Sequence, residues 1–346
     1  MNNNKRKIRV LVVDDSIVFR ETLARQIARD PSIEVVGTAS DPYMARDKIL
    51  ELEPDVMTLD VEMPRMSGIE FLKKLIPQYP IPVVVVSAVS GSVFDALNAG
   101  AVDFVTKPDT QGVRGVEAFI SELILKIKIA STAKVATQKK NANTVAVRSR
   151  VALEKQNCII AIGASTGGTE AIAKVIKDFP VNMPGTVIVQ HMPPIFTAMY
   201  AARLNGVCAV EVREAKTGDM ILPGLVLIAP GDYHMRVKPI HNHYMVECFR
   251  GEKVNGHCPS VDVLFHSVAE HVGKNSIGAI LTGMGNDGAK GLLAIRKAGG
   301  RTLGQDEQSS VVYGMPKVAF TIGAVQAQVP INLMARKINA LLDNQG

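Results

Sequence analysis

The sequence predicts an α/β protein made of two doubly wound parallel-sheet domains joined by a linker. Two stretches alternate short apolar runs with helical periodicity, one from Ile8 to about residue 125 and one from Cys158 onward. Strands that alternate with helices in this way pair in parallel and bury both sheet faces under helices. Between them, residues 126–156 (KIKIASTAKVATQKKNANTVAVRSRVALEKQ) hold no glycine, proline or aromatic residue and few bulky side chains. That composition reads as a helix end running into a charged, flexible tether. The expected domains are therefore residues 1–125 and 157–346, with 126–156 as linker. A chain of 346 residues, 47% hydrophobic, is large enough for two cores.

In the first domain, IRVLVV (Ile8–Val13) is a buried strand, followed by helical periodicity from Ile17 to Ala28. Further strands are expected at Ile33–Ala39, Val56–Leu59, Pro82–Ser87 and Ala101–Thr106. No apolar run approaches the roughly 18–20 residues of a membrane span, so the protein is not expected to be membrane-embedded. The basic start MNNNKRKIRV lacks the apolar stretch of a signal peptide. Cys158, Cys208, Cys248 and Cys258 form no C-x-x-C pair, which fits reduced thiols and a cytoplasmic location. The net charge of +6 resides largely in Lys5–Arg6–Lys7 and in the tether, without an arginine-rich helix or aromatic stripe. Nucleic-acid binding is not expected. Nothing resembles a dimerisation coiled coil, so a monomer is expected.

Asp14 and Asp15 end the first strand and Asp60 ends the third, in VMTLDVEMPRMSG. Carboxyl ends of neighbouring parallel strands form the ligand crevice of an open sheet. Three carboxylates converging there repel one another unless a cation lies between them, and hard oxygen ligands suit Mg²⁺. Ser87 and Lys107 add a hydroxyl and an ammonium at two further strand ends. Such a site is suited to phosphoryl transfer onto Asp60. Any one Asp here reads more readily as an N-cap or turn residue; five groups in order at strand ends do not. With DD, D-x-x-M-P-x-M-x-G, the strand-end hydroxyl and K-P in this order, residues 8–125 resemble a response-regulator receiver domain. The resemblance implies a flavodoxin-like fold, Asp60 as phospho-acceptor and a histidine kinase of the chemotaxis type as phosphodonor. It further implies Mg²⁺ held by Asp14, Asp15, Asp60 and the Glu62 backbone carbonyl, and a cis Lys107–Pro108 bond. Ser87 and Lys107 would sense the phosphoryl group, with Ser90 the other candidate for the hydroxyl because SGSVFDALNAG is short for a helix.

In the second domain, CIIAI leads into Gly163-Ala164-Ser165-Thr166-Gly167-Gly168 and then the helical TEAIAKVIKDF. A strand–tight turn–helix with serine at its apex exposes the hydroxyl to a helix N-terminus. The rival is a phosphate-binding loop, but no Lys-Ser/Thr ending follows and Glu170 would oppose a phosphate. His191 ends the next strand, PGTVIVQ, and Asp287 lies in a glycine-rich turn after GAILTG. Serine, histidine and carboxylate brought together can make a hydroxyl nucleophilic. Their chain order Ser, His, Asp differs from that of the α/β-hydrolases. His241 and His243 are expected to face solvent, with no carboxylate or cysteine at ligand spacing. His257-Cys258 is expected to carry no cysteine–histidine chemistry, since adjacent strand residues point to opposite faces.

GASTGG, QHMP, IAPG, NGHCPSVDVLF, LTGMGNDGAKGL and QDEQSSVVYGMP over residues 157–346 resemble the catalytic domain of the bacterial chemotaxis protein-glutamate methylesterases, the CheB family. The resemblance implies a Rossmann-like domain that hydrolyses glutamate methyl esters, and deamidates glutamines, on the cytoplasmic helices of chemoreceptors, without a cofactor for that step. Ser165 would be the nucleophile, His191 the base and Asp287 its orienting group. The backbone N–H groups of Thr166 and Met284 are candidates for the oxyanion hole. Ile195, in PPIFT, stands where the family often has glycine or another residue, at the rim of the site and outside the triad. Two other readings stand beside this one: a phosphorylation-dependent binding regulator without essential catalysis, and a small-ester hydrolase with a regulatory domain.

Overall fold

The computed structural model describes residues 6–88, 90–108, 115–135 and 158–343. The chain divides into two compact units, Met1–Asn141 and Ala142–Gly346.

The first unit runs β1 (Ile8–Val13), α1 (Ile17–Ile27), β2 (Ile33–Ala39), α2 (Pro42–Leu52), β3 (Val56–Asp60), α3 (Gly68–Leu75), β4 (Val83–Ser87), α4 (Ser90–Asn98), β5 (Asp103–Thr106) and α5 (Val116–Ala130). Its five strands are parallel in the order β2-β1-β3-β4-β5. Strands β3 and β4 are buried along their whole length because helices cover both faces, which is why they read as continuous apolar runs. Helices begin where a polar side chain can cap them. Ser16 accepts from Phe19 N, Asp41 from Tyr43 and Met44 N, and Ser67 from Glu70 N. Strand order reverses at β1, which opens the crevice between β1 and β3. Helix α5 continues through Lys126–Ala130, the first residues of the expected tether, whose part from residue 136 on lies outside the described residues.

The second unit begins β6 (Ile159–Ala164), α6 (Gly168–Lys177), β7 (Thr186–Gln190), α7 (Phe196–Asn205), β8 (Glu211–Glu214) and β9 (Leu225–Ile228). It continues through a hairpin of β10 (His234–Ile240) and β11 (His243–Phe249) to α8 (Val261–His271) and β12 (Ser276–Ile280). The last elements are α9 (Ala289–Lys297), β13 (Arg301–Gln305), α10 (Met315–Thr321), β14 (Ala327–Val329) and α11 (Ile331–Asp343). Seven strands are parallel in the order β14-β13-β12-β6-β7-β9-β8. From β6 the chain winds outward through β7 and later outward on the other side through β12, so the switch point lies at the carboxyl end of β6. Val261, Leu264, Phe265 and Val268 of α8 pack with Leu292 and Ile295 of α9 in the core against the sheet. His241 occupies the hairpin turn at φ 50°, and both it and His243 are exposed, as expected. Among the described residues no helix is long and apolar enough to cross a membrane.

Candidate active site

Register brings the serine and histidine together. Ala164 of β6 pairs with Gln190 of β7, so the next residues, Ser165 and His191, leave adjacent strands side by side. Backbone bonds hold the serine turn: Ser165 N donates to Thr282 O (3.0 Å), and Gly168 N donates to Ser165 O (2.7 Å). The buried Gln190 amide links the two strand ends, donating to Ser165 O (2.9 Å) and His191 O (3.1 Å). Gly167 takes φ 75° to turn the chain into α6, a conformation that favours glycine. The turn carrying Met284 presses against the serine, since a Cβ on Gly283 would lie 2.7 Å from the Ser165 Cβ.

His191 donates or accepts at Nε2 with Asp287 Oδ2 at 2.8 Å, while its buried Nδ1 has no hydrogen-bond partner among the described residues. An anionic carboxylate accepts only, so Nε2 carries the proton and Nδ1 keeps a lone pair. Nδ1 is then the nitrogen left for the neighbouring hydroxyl, although no hydrogen bond joins the two groups in this structure. Catalytic hydrogen bonds commonly tighten only when substrate is bound.

Asp287 is buried and receives four further donors: Ser260 Oγ (2.7 Å), Val261 N (2.7 Å), Asp262 N (3.1 Å) and Asn255 Nδ2 (2.9 Å). It sits at the N-terminus of α8, where Ser260 is the N-cap. Burial alone would push its carboxyl up; the bond and charge of His191, with Asn255 and Ser260 donating, hold it well below the usual carboxylate range. Ser260 is itself held by buried His234, whose Nδ1 accepts from Ser260 N (3.2 Å). The ring of His257 lies parallel to that of His191, centroids 3.7 Å apart and planes at 9°. Burial, with His191 beside it, holds the His257 pKa down to about 4.

The structure brings together Ser165, His191 and Asp287, the residues the sequence singles out, and adds Asn255, Ser260, His234 and His257, which it does not. The S-V-D start of α8, an N-cap signal within NGHCPSVD, was the available clue. His257 was read as lying in a strand; it lies instead at a tight turn bridged to Val254, which frees its ring to cover His191.

In the first unit, Asp14 and Asp60 are buried and Asp15 is exposed. Each offers an oxygen within 4.8 Å of the others, close enough to hold one metal ion. The Lys107 ammonium bonds Asp14 Oδ2 (2.7 Å) and Asp60 Oδ2 (2.6 Å) and lies 4.6 Å from the Phe19 ring centroid. Burial raises the Asp14 pKa, and nearby Asp60 adds to this, so that one shared ammonium does not offset them. Burial opposes the charge on Lys107 too, but two carboxylate partners raise its pKa on balance. This anion surplus, in an all-oxygen donor set, fits Mg²⁺. Glu62 N donates to Asp60 Oδ1 (3.3 Å), keeping the Glu62 peptide beside the cluster. Ser87 is fully buried at the end of β4, tied to β5 by Lys107 N donating to Ser87 O (3.0 Å). Ser90 opens α4, and its side chain lies outside the described residues. The Lys107–Pro108 bond, expected cis, is not so: among the described residues the cis bond is Cys258–Pro259. Lys107 reaches both carboxylates without it.

Two family models match the chain: CheB methylesterase over residues 160–338 and response regulator receiver domain over residues 10–114. The protein-glutamate methylesterase/protein-glutamine glutaminase 2 of Syntrophomonas wolfei is 61% identical over 98% of both chains. The corresponding protein of Syntrophotalea carbinolica is 56% identical, over 98% of this chain and 99% of its own. Among solved structures, the Thermotoga maritima CheB methylesterase catalytic domain is 37% identical with a TM-score of 0.52, covering 53% of this chain and 98% of its own. The chain belongs to the CheB methylesterase family.

Proposed function

We propose that this protein is a phosphorylation-activated serine hydrolase that demethylates glutamate γ-methyl esters, and deamidates glutamines, on the cytoplasmic helices of chemoreceptors. The observation that carries the reading is the His191 ring, fixed at Nε2 by Asp287 with Nδ1 unpaired, on the strand next to Ser165. Ser165 Oγ attacks the ester carbonyl while His191 Nδ1 takes its proton. The N–H groups of Thr166 and Met284 receive the oxyanion, each such donor contributing roughly 2.7–4 kcal/mol. Protonated His191, balanced by Asp287, returns the proton to the leaving methoxide, and methanol departs. Water, activated by His191 in turn, splits the acyl-enzyme to glutamate and free serine. With glutamine the leaving group is ammonia.

In the receiver unit, Asp60 accepts the phosphoryl group from a chemotaxis-type histidine kinase. Asp14, Asp15, Asp60 and the Glu62 carbonyl would hold Mg²⁺, which when bound supplies charge neutralisation for phosphoryl transfer. Lys107 pairs with the carboxylates and then with the phosphoryl oxygens, and Ser87 senses its presence. The test is methanol release from methylated receptor membranes, with and without a small phosphodonor, by wild type, Ser165→Ala and Asp60→Asn. Release should vanish in Ser165→Ala, and stimulation should vanish in Asp60→Asn. Persistence of release in Ser165→Ala would reject the serine mechanism in favour of a non-catalytic or unrelated role for this site.

A further inference from the structure

We propose that the two-residue turn between Val254 and His257 is a clamp on the His191–Asp287 pair, with Asn255 and His257 as positioning residues for the base and its carboxylate. The inference rests on the reading of that pair as catalytic. Val254 and His257 exchange both backbone hydrogen bonds, each 3.0 Å. Between them Asn255 and Gly256 take φ 53° and 83°. Two successive positive φ values make the tight hairpin turn for which Asn-Gly is the favoured pair. From this one turn, two side chains reach the site. Asn255 Nδ2 donates to Asp287 Oδ1 (2.9 Å) and to Asp262 Oδ2 (2.7 Å). The His257 ring covers one face of His191 at 3.7 Å.

Each contact restrains one member of the pair. A single bond from Nε2 to Asp287 lets the His191 ring swing about that axis, and a stacked ring holds its plane. Asn255 lies between the carboxylates of Asp262 and Asp287 and, with Ser260 Oγ and Asp262 N, holds Oδ1 of the latter, leaving Oδ2 to His191 and Val261 N. The groups facing His257 are His191 at the end of β7, Asp287 in the turn after β12, and Lys253 of its own loop. Asn255 faces Asp287 and, from α8, Asp262. At neutral pH the ring of His257 is uncharged, so an imidazolium forming on His191 meets an aromatic face and not a second cation.

The experiment measures kcat and KM for methanol release from methylated receptor membranes, with fluorophosphonate labelling of Ser165, in wild type, His257→Phe, His257→Ala and Asn255→Asp. His257→Ala should lower kcat about 2- to 12-fold, the worth of one aromatic pair, with KM little changed, and His257→Phe should recover most of the loss. In Asn255→Asp a third carboxylate replaces the donor, and only its protonated form can donate. Its kcat relative to wild type should therefore rise as pH falls from about 8 to about 6. The clamp is overturned by wild-type kcat in His257→Ala, by equal losses in the Phe and Ala variants, or by an Asn255→Asp deficit that is the same at every pH. If His257→Ala does not fold, the Asn255→Asp ratio decides. A wild type that neither releases methanol nor labels at Ser165 overturns the hydrolase reading itself; an active wild type matched by its variants overturns the clamp alone.

Discussion

Both units place carboxylates at the carboxyl ends of parallel strands beside a topological switch point, yet the two crevices treat negative charge in opposite ways. Asp287 is buried with five donors around it, and its pKa is driven down. Asp14 is as buried, has one backbone donor (Ser16 N, 2.9 Å) besides the ammonium it shares with Asp60, and its pKa is driven up. Burial is the leading influence on each, so the donors decide the sign. A saturated anion stays fixed through a reaction cycle and steadies a neighbouring imidazolium. An under-satisfied pair of anions has capacity left for an incoming cation. The hydrolase crevice is built to be constant and the receiver crevice to respond.

The largest effect that could break this comparison comes from Asp287→Asn. The amide keeps the shape but presents an N–H or a weaker acceptor to Nε2, so the tautomer with its proton on Nδ1 becomes accessible and the base is lost. A fall in kcat on the order of 10⁴-fold is expected in the methanol-release assay. A loss of only a few-fold would mean that the anion is not what the five donors are there to hold. A smaller effect is expected at the cap. Ser260→Ala removes one donor from Asp287 and the N-cap of α8, and should cost about 1 kcal/mol in urea unfolding. The catalytic cost should stay far below that of Asp287→Asn, because Val261 N, Asp262 N and Asn255 still hold the carboxylate.

The strand ends of both sites were legible because their chemistry is local. Apolar runs such as IRVLVV and CIIAI stop at a polar residue, and parallel register then sets Ser165 beside His191 without further information. What surrounds Asp287 was not legible. Its donors come from 255–262, a segment more than twenty residues away whose aim depends on the φ values of Asn255 and Gly256 and on the cap of α8. The same holds for His257, since alternation along a strand gives the wrong face for a residue that ends a tight turn. In the receiver unit the five polar groups were expected at strand ends, but not that Lys107 would lie between Asp14 and Asp60 and bond both. Pairing of that kind follows from the spacing of three strands and not from any one motif.

The smallest effect sharpens the comparison from the receiver side, through stability. A carboxyl whose native pKa is raised favours its protonated form in the folded state, so its ionisation works against folding. That penalty is full above the native pKa of Asp14 and disappears below its unfolded value, near 3.8. Without added metal, Asp14→Asn should therefore melt slightly above wild type at pH ~7, and the gap should close as the pH is lowered through the acid range. Mg²⁺ should reverse the ranking. At about 100 times its dissociation constant a ligand adds roughly 2.7 kcal/mol to the state that binds it, and wild type should gain this while Asp14→Asn gains little. Calorimetry of the two proteins with and without Mg²⁺ reads all four values. If Asp14→Asn is the less stable protein in metal-free buffer at pH ~7, Lys107 already satisfies both anions, and the contrast with Asp287 does not hold.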